Sequence, residues 1–406
     1  MAARLCNYAR RGVGIFFEYD TPKIVHIRSK SIGIINRIIQ LAVVSYIIVW
    51  VLILKKGYQE PDTGVSGTTT KVKGVAFTNI SDPKVGIRAW DTADIVVPAE
   101  ENDAFFVTTN VIQTMSQANT QCPEAFSVAQ SRCTTDADCQ PVGTPFLLGH
   151  GTTTGVCNMT TSTCMINAWC PLEDDVLPLN GTTAALAGTV NFTVLIKNHV
   201  YFPLYKQTRS NIIEETNKTY LQGCHYDKLS DPFCPIFTLG YIVNAALEKS
   251  TSSQTYEDVA TEGGVFSIRI DWDCDFDYNP KWCKPLYSFD RLDKGEDSLV
   301  ARGYNFRYAH YYYGSGERLR DLVKAYGLKF IVTVNAKGGK FNVVPLFLNI
   351  GSGLGLLAMA TILCDIFVLY IHRRRKFFNE HKYEQVKTSD AYQYTDSISV
   401  LNTEYD

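Results

Sequence analysis

Lys71 and Lys73 lie two residues apart in residues 68–77 (TTTKVKGVAF), a run rich in β-branched side chains. Strand alternation puts both ammonium groups on one face and Val72 on the other. Asn305 and Arg307 repeat that spacing in GYNFR, and Lys324 opens a third strand-like run. Cations of this kind suit a polyanion such as a triphosphate when several converge on one pocket, and arginine adds a fork that meets two oxygens. Spacing alone does not show convergence, and each cation singly reads as a solvated surface charge.

Other chemistries lack their residues. GxSxG, HExxH and GxxxxGK[ST] motifs are absent, and the seven histidines are scattered without ligand spacing. The cysteines form no CxxC pair, so neither a metal site nor a cofactor is expected, and the chain does not read as an enzyme. A net charge of −2 points to no nucleic acid.

The elements that must hold these residues begin with the membrane. Residues 343–371 (VVPLFLNIGSGLGLLAMATILCDIFVLYI) carry no Lys or Arg and can cross a bilayer. Gly351, Gly353 and Gly355 within it each cost a helix roughly 1 kcal/mol relative to alanine. They make sense where helices approach closely or where backbone faces water, so this span reads either as a packing face in a passive oligomer or, more sharply, as a pore-lining helix. Residues 32–54 form a second apolar run, read as a retained signal-anchor. Ten of the twelve cysteines lie between the two spans, and so do five N-x-S/T sequons at Asn79, Asn158, Asn180, Asn191 and Asn217. Oxidised cysteines and sequons belong to one compartment, the exterior. The expected order is a cytoplasmic arm (1–31), a first span (32–54), an extracellular domain (55–342), a pore-lining span (343–371) and a cytoplasmic tail (372–406).

Within the extracellular part, residues 68–77, 105–112, 190–196, 266–272, 303–312 and 324–334 read as strands, and 231–247 as the best soluble helix. Residues 202–219 read as loop. Residues 122–170 hold six cysteines with little apolar periodicity and must be stapled. The fold class is thus a two-span membrane protein with a mainly β, disulfide-rich extracellular domain.

The chain resembles the ATP-gated cation channels of the ionotropic purinergic receptor family over roughly residues 19–387. The likeness rests on Tyr19-x-Thr21-x-Lys23, Lys56-Gly57-Tyr58-Gln59, Thr70-Lys71-Val72-Lys73-Gly74, Trp90-Asp91-x-Ala93-Asp94, Trp169-Cys170-Pro171, Asn191-Phe192-Thr193, Trp272-Asp273-Cys274-Asp275, Asn305-Phe306-Arg307, Lys324-Ala325-Tyr326-Gly327 and Tyr383-x-x-x-Lys387, with the ten-cysteine series. That resemblance implies a homotrimer, able to mix with related subunits, in the plasma membrane with both termini cytoplasmic. It implies ATP as an agonist that is not hydrolysed, and sodium, potassium and calcium as permeant ions. Lys71, Lys73 and Thr193 are the implied contacts from one subunit, and Asn305, Arg307 and Lys324 those from its neighbour. Leu348, Asn349 and Ser352 match the gate, Asp365 the inner mouth, and Tyr383 and Lys387 a surface-retention motif. The implied disulfides are Cys122–Cys170, Cys133–Cys157, Cys139–Cys164, Cys224–Cys234 and Cys274–Cys283. Thr238, His310, Lys337-Gly338-Gly339 and Pro22 depart from the family pattern and suggest a divergent, invertebrate-type member. An acid-sensing or epithelial-type sodium channel, and a two-span adhesion or scaffold protein, are the alternatives.

Overall fold

The computed structural model describes residues 30–80, 85–177, 183–212, 218–250, 253–293, 303–314, 316–373 and 375–382. Cys6, Asn180, Asn217, Tyr383 and Lys387 lie outside them. The chain forms two compact units, 1–60 together with 341–406, and 61–340.

In the first unit, the helix Lys30–Ser45 continues in wider π-type turns over Tyr46–Leu54. The helix Val343–Ile366 continues likewise over Phe367–Ile371. Both are apolar on most faces, with 23 and 29 residues long enough to cross a bilayer. Asn342 caps the second helix by accepting from the Val344 amide at 2.8 Å. The three glycines divide in role. A Cβ on Gly353 would stand 2.9 Å from Ile47 Cδ1, so glycine is what lets the two helices meet there, whereas Gly351 and Gly355 face open space.

Among the described residues, fourteen strands build the second unit: β1 (Gln59–Thr63), β2 (Val65–Lys73), β3 (Val75–Asn79), β4 (Ile87–Asp91), β5 (Ala104–Pro123), β6 (Thr152–Asn158), β7 (Thr163–Cys170), β8 (Thr193–Phe202), β9 (Gln207–Ser210), β10 (Ile236–Thr238), β11 (Gly264–Asp275), β12 (Pro285–Arg291), β13 (Asn305–Gly314) and β14 (Glu317–Phe341). One sheet runs β12-β11-β14-β5-β7-β6, with β1 and β13 also on β14. A second runs β10-β8-β2, with β9 on β8, and β3 and β4 make a separate hairpin. β11 and β14 run parallel from Gly264↔Leu328 to Asp275↔Gly339, whereas β14 is antiparallel to β5 and β13, β11 to β12, and β8 to β2, β9 and β10.

The first expected strand is two strands, not one. Gly74 breaks it at φ +158°, where a Cβ would lie 2.4 Å from the Phe192 ring. Residues 187–191 are a 3-10 turn rather than strand, and β8 starts at Thr193. The loop expected over 202–219 contains β9. The expected helix over 231–247 is shorter and later, Leu239–Lys249. Thr238 stops the preceding strand and caps the helix by accepting from the Tyr241 amide at 3.3 Å, which gives this departure from the family pattern a local role.

The main core packs Phe202, Phe237, Phe266, Phe330 and Trp272 between the two sheets and the helix Leu239–Lys249. A polar thread crosses it. Trp272 Nε1 donates to Asn198 Oδ1 at 2.7 Å, the Asn198 amide donates to Asn211 Oδ1 at 2.8 Å, and Asn211 Nδ2 reaches the Ile196 carbonyl at 2.7 Å. All five disulfides close with the pairs the resemblance implies. Residues 122–170 have a small core of their own, in which Cys133, Cys157, Cys164 and Cys170 pack with Val128, Phe146, Ile166 and Ala168. Cystine sulfur supplies much of the apolar volume there, as a segment with little apolar periodicity requires.

Candidate functional site

β2 carries Lys71 and Lys73 on its exposed face and Val72 half-buried on the other, as alternation predicts. Its antiparallel partner β8 places Thr193 opposite Lys73, and the Thr193 hydroxyl approaches the Lys73 carbonyl at 3.5 Å. Neither lysine makes a hydrogen bond or ion pair among the described residues. A cavity of about 710 Å³ runs along β2 and includes Lys71, together with residues 98–105. Lys73 and Thr193 lie outside it, so the cavity and the proposed contact set are different surfaces.

β13 and β14 form a second cationic face. Arg307 lies opposite Lys324, and Asn305 opposite Tyr326. These two strands belong to the larger sheet and β2 to the smaller one. The structure therefore brings together Lys71, Lys73 and Thr193, and separately Asn305, Arg307 and Lys324. No hydrogen bond or ion pair joins the two sets within a chain among the described residues.

The second set already holds anions. Directly after the Cys170 disulfide, the segment Leu172-Glu173-Asp174-Asp175 crosses the face. Arg307 Nε donates to Glu173 Oε2 at 2.7 Å, and Arg307 Nη2 lies 3.6 Å from Asp175 Oδ1. Lys324 Nζ donates to the same Asp175 oxygen at 2.5 Å. Glu173 is 8% exposed, and its other oxygen is buried without a partner among the described residues. Burial alone would raise the Asp175 pKa, but the hydrogen bond and charge of Lys324, followed by Arg307, outweigh it and hold the carboxyl below its usual range. Burial likewise works against the charge on Lys324 and on Arg307, but the Asp175 hydrogen bond and then Tyr326 outweigh it at Lys324, and Glu173 followed by Asp175 outweigh it at Arg307, so both cations titrate above their ordinary values. Sequence reasoning missed Glu173 and Asp175. The available signal was an acidic run placed beside a disulfide, in a chain whose clustered cations lacked counter-charges.

In the second span, Asn349 Nδ2 donates to the Gly57 carbonyl at 2.7 Å and to the Pro345 carbonyl at 3.0 Å. Its amide thus turns toward the end of the first span. Leu348 and Ser352, four residues apart, lie exposed on one helical face, and Ser352 Oγ donates to the Asn349 carbonyl at 2.9 Å. Asp365 is exposed one residue beyond buried Cys364. Of the sequons among the described residues, Asn79 and Asn191 are exposed and Asn158 is half-buried.

The ATP P2X receptor family model matches residues 17–385. P2X purinoceptor 4 of Bos taurus is 45% identical over 377 residues, covering 91% of this chain and 94% of that protein. P2X purinoceptor 5 of Homo sapiens is 41% identical, covering 91% and 82%. An invertebrate P2X receptor from the Gulf Coast tick, solved with ATP and Zn2+, superposes with a TM-score of 0.75 at 44% identity, covering 82% of this chain and 100% of that one. The chicken P2X7 receptor with the competitive antagonist TNP-ATP gives a TM-score of 0.71 at 35% identity, covering 83% and 99%. The split cationic faces, the five disulfides and the paired spans thus have a common explanation: the chain belongs to the P2X receptor family of trimeric, ATP-gated cation channels of the plasma membrane.

Proposed function

We propose that three copies of this chain bind extracellular ATP at their boundaries, Lys71, Lys73 and Thr193 of one subunit facing Asn305, Arg307 and Lys324 of the next. The observation that carries this reading is the division of the cations between two sheets, with no hydrogen bond or ion pair joining the two sets within a chain among the described residues. A triphosphate needs both sets, so a second copy must supply one of them. Lys71, Lys73, Arg307 and Lys324 hold the phosphates, and Thr193 meets the base.

Two of these cations are neutralised before ATP arrives. The triphosphate displaces Asp175 and Glu173 from Lys324 and Arg307 while drawing in Lys71 and Lys73. ATP acts as an agonist and is not hydrolysed, in keeping with the absence of hydrolytic motifs. Ligand shifts the shut–open equilibrium only through its differential affinity for the open state. Moving it from mostly shut to mostly open takes about 5.5 kcal/mol, or roughly 2 kcal/mol from each of three nucleotides.

The second span lines the pore. Leu348 and Ser352 form the gate stripe, Asn349 ties that stripe to the end of the first span, and Asp365 faces the inner mouth. Sodium, potassium and calcium permeate, and both termini are cytoplasmic. The glycans, where present, decorate the extracellular domain.

The test is a recording from cells expressing the chain. ATP at neutral pH should evoke a cation current that Lys73→Ala abolishes with surface expression intact. Current on acid alone, or silence to both stimuli at normal surface expression, would reject this reading. A cysteine replacing Ser352 should react faster with a charged thiol reagent when ATP is present, and equal rates would place the gate elsewhere.

A further inference from the structure

We propose that Asn79 carries an N-linked glycan whose first N-acetylglucosamine lies against Phe77, on an apolar platform built by the β3–β4 hairpin. This rests on the reading of the segment between the spans as extracellular.

β3 alternates strictly. Val75, Phe77 and Asn79 are exposed, and Ala76 and Thr78 are buried. The exposed apolar side chains are unusual for so small a hairpin, Val75 at 71%, Phe77 at 70% and Ile87 at 63%. The register sets Asn79 opposite Ile87, Phe77 opposite Ala89 and Val75 opposite Asp91, so all of them share one face. The acceptor asparagine therefore stands at the end of a row of apolar groups, next but one to an aromatic ring. Directly opposite Cβ atoms lie about 5 Å apart, and successive same-face residues along a strand about 7 Å apart. A sugar joined to the Asn79 amide thus needs to fold back only about one ring length to cover Phe77.

The platform is held rigid from behind. Trp90 Nε1 donates to Thr78 Oγ1 at 3.0 Å, Thr78 Oγ1 donates to the Gly86 carbonyl at 2.9 Å, and the Arg88 guanidinium stacks 3.7 Å from the Trp90 ring centre. Phe77 cannot turn inward, because the inward positions are filled.

The ligand chemistry follows. A pyranose presents a face of axial C–H bonds, whose positive edge meets the negative face of an aromatic ring while dispersion adds over the covered area. The other sequons differ on both counts. Asn158 accepts from the Thr160 and Thr161 amides at 2.9 and 3.4 Å and lies half-buried. Asn191 is exposed, but its neighbours Thr189 and Phe192 are 0% and 1% exposed, so no ring is offered to a sugar. Among the described sequons, Asn79 alone combines a free amide with an exposed aromatic on its own face.

The experiment uses the full chain purified from a eukaryotic secretory host. Glycopeptide mass spectrometry should find Asn79 occupied. Phe77→Val, which keeps a strand-forming residue and removes the ring, should lower that occupancy and lower the melting temperature of the glycosylated protein by about 2 °C. In an Asn79→Gln background the same substitution should change it by much less, and Phe77→Trp should restore the wild-type behaviour. An unmodified Asn79, or an equal Phe77→Val penalty in both backgrounds, overturns the proposal. Loss of the trimer on Phe77→Val with Asn79 unmodified would also overturn it, by placing a second subunit on this face. ATP-evoked current from the same cells keeps a failure here separate from a failure of the channel reading.

Discussion

Lys324 and Asp175 form an ion pair with lopsided burial: the lysine side chain is 10% exposed and its aspartate partner 63%. The cation is built into the sheet, between Arg307 on β13 and Ile112 on β5, whereas the anion comes from the exposed side of the segment that follows Cys170. Such a pair can exchange its anion at the surface without disturbing the strand that carries the cation. On the proposed ATP site, Asp175 takes the place within the chain that a phosphate oxygen would take.

Asp175→Asn should raise ATP potency about two- to five-fold, since a partly exposed pair of this kind is worth roughly 0.5–1 kcal/mol. Dose–response curves check it, and a rightward shift would show that the carboxylate helps to bind the nucleotide. The pH dependence has a definite sign. A carboxyl held below its usual range stabilises the pair above that range, and the contribution is lost only as pH falls through the depressed value. The ratio of mutant to wild-type potency should thus be the same at pH 5.5 and pH 7.5.

Arg307→Ala should lower ATP potency at least about thirty-fold, equivalent to roughly 2 kcal/mol, because a charge-assisted fork is removed from the phosphates. The trimer should persist on gel filtration. The substitution also strands Glu173, which is nearly buried, so the double variant with Glu173→Gln should recover thermal stability but not potency. Recovery of potency would make Arg307 a structural rather than a ligand-binding residue.

Gly353→Ala should weaken assembly of the two spans, since the added methyl meets Ile47, and Ile47→Ala should rescue it. Gly351→Ala meets nothing and should be neutral to stabilising, by up to roughly 1 kcal/mol of helix propensity. Surface biotinylation and current density read both. Equal effects at the two glycines would remove the distinction between packing and open positions.

Asn198→Leu should lower the stability of the extracellular unit by about 1–3 kcal/mol, because the Trp272 indole N–H loses its partner in the core and the Gly67 carbonyl and Thr68 hydroxyl lose the Asn198 side-chain amide. A thermal melt followed by tryptophan emission measures it. No loss of melting temperature would mean that water replaces the asparagine.

These contrasts separate what local sequence can encode from what it cannot. The facing of Lys71 and Lys73 was legible because alternation is a property of a strand and its immediate neighbours. The break at Gly74 was not, since its cause is the ring of Phe192, more than a hundred residues away in the chain. Thr238 was visible as an anomaly, but its capping role required knowing where the helix begins. The strand ends failed for a similar reason. β14 runs to 25 residues because β11, β5 and β13 pair with it over different stretches, and none of those partners is marked in its own residues. The cationic members of the candidate site came from residue type and resemblance, and the carboxylates that guard two of them came only from the folded chain.

The parallel ladder between β11 and β14 has a mechanical consequence. β14 spans about 80 Å as an extended strand. Along twelve successive residue pairs it is bonded to β11 running the same way, and β5 grips its other edge over much of the rest. A pull along the strand axis loads those bonds in shear, all together, instead of peeling them one by one from an end. β14 is consequently a tie rod, stiff along its length, so a tug at Lys324 arrives near Phe341 as displacement rather than being lost as local fraying.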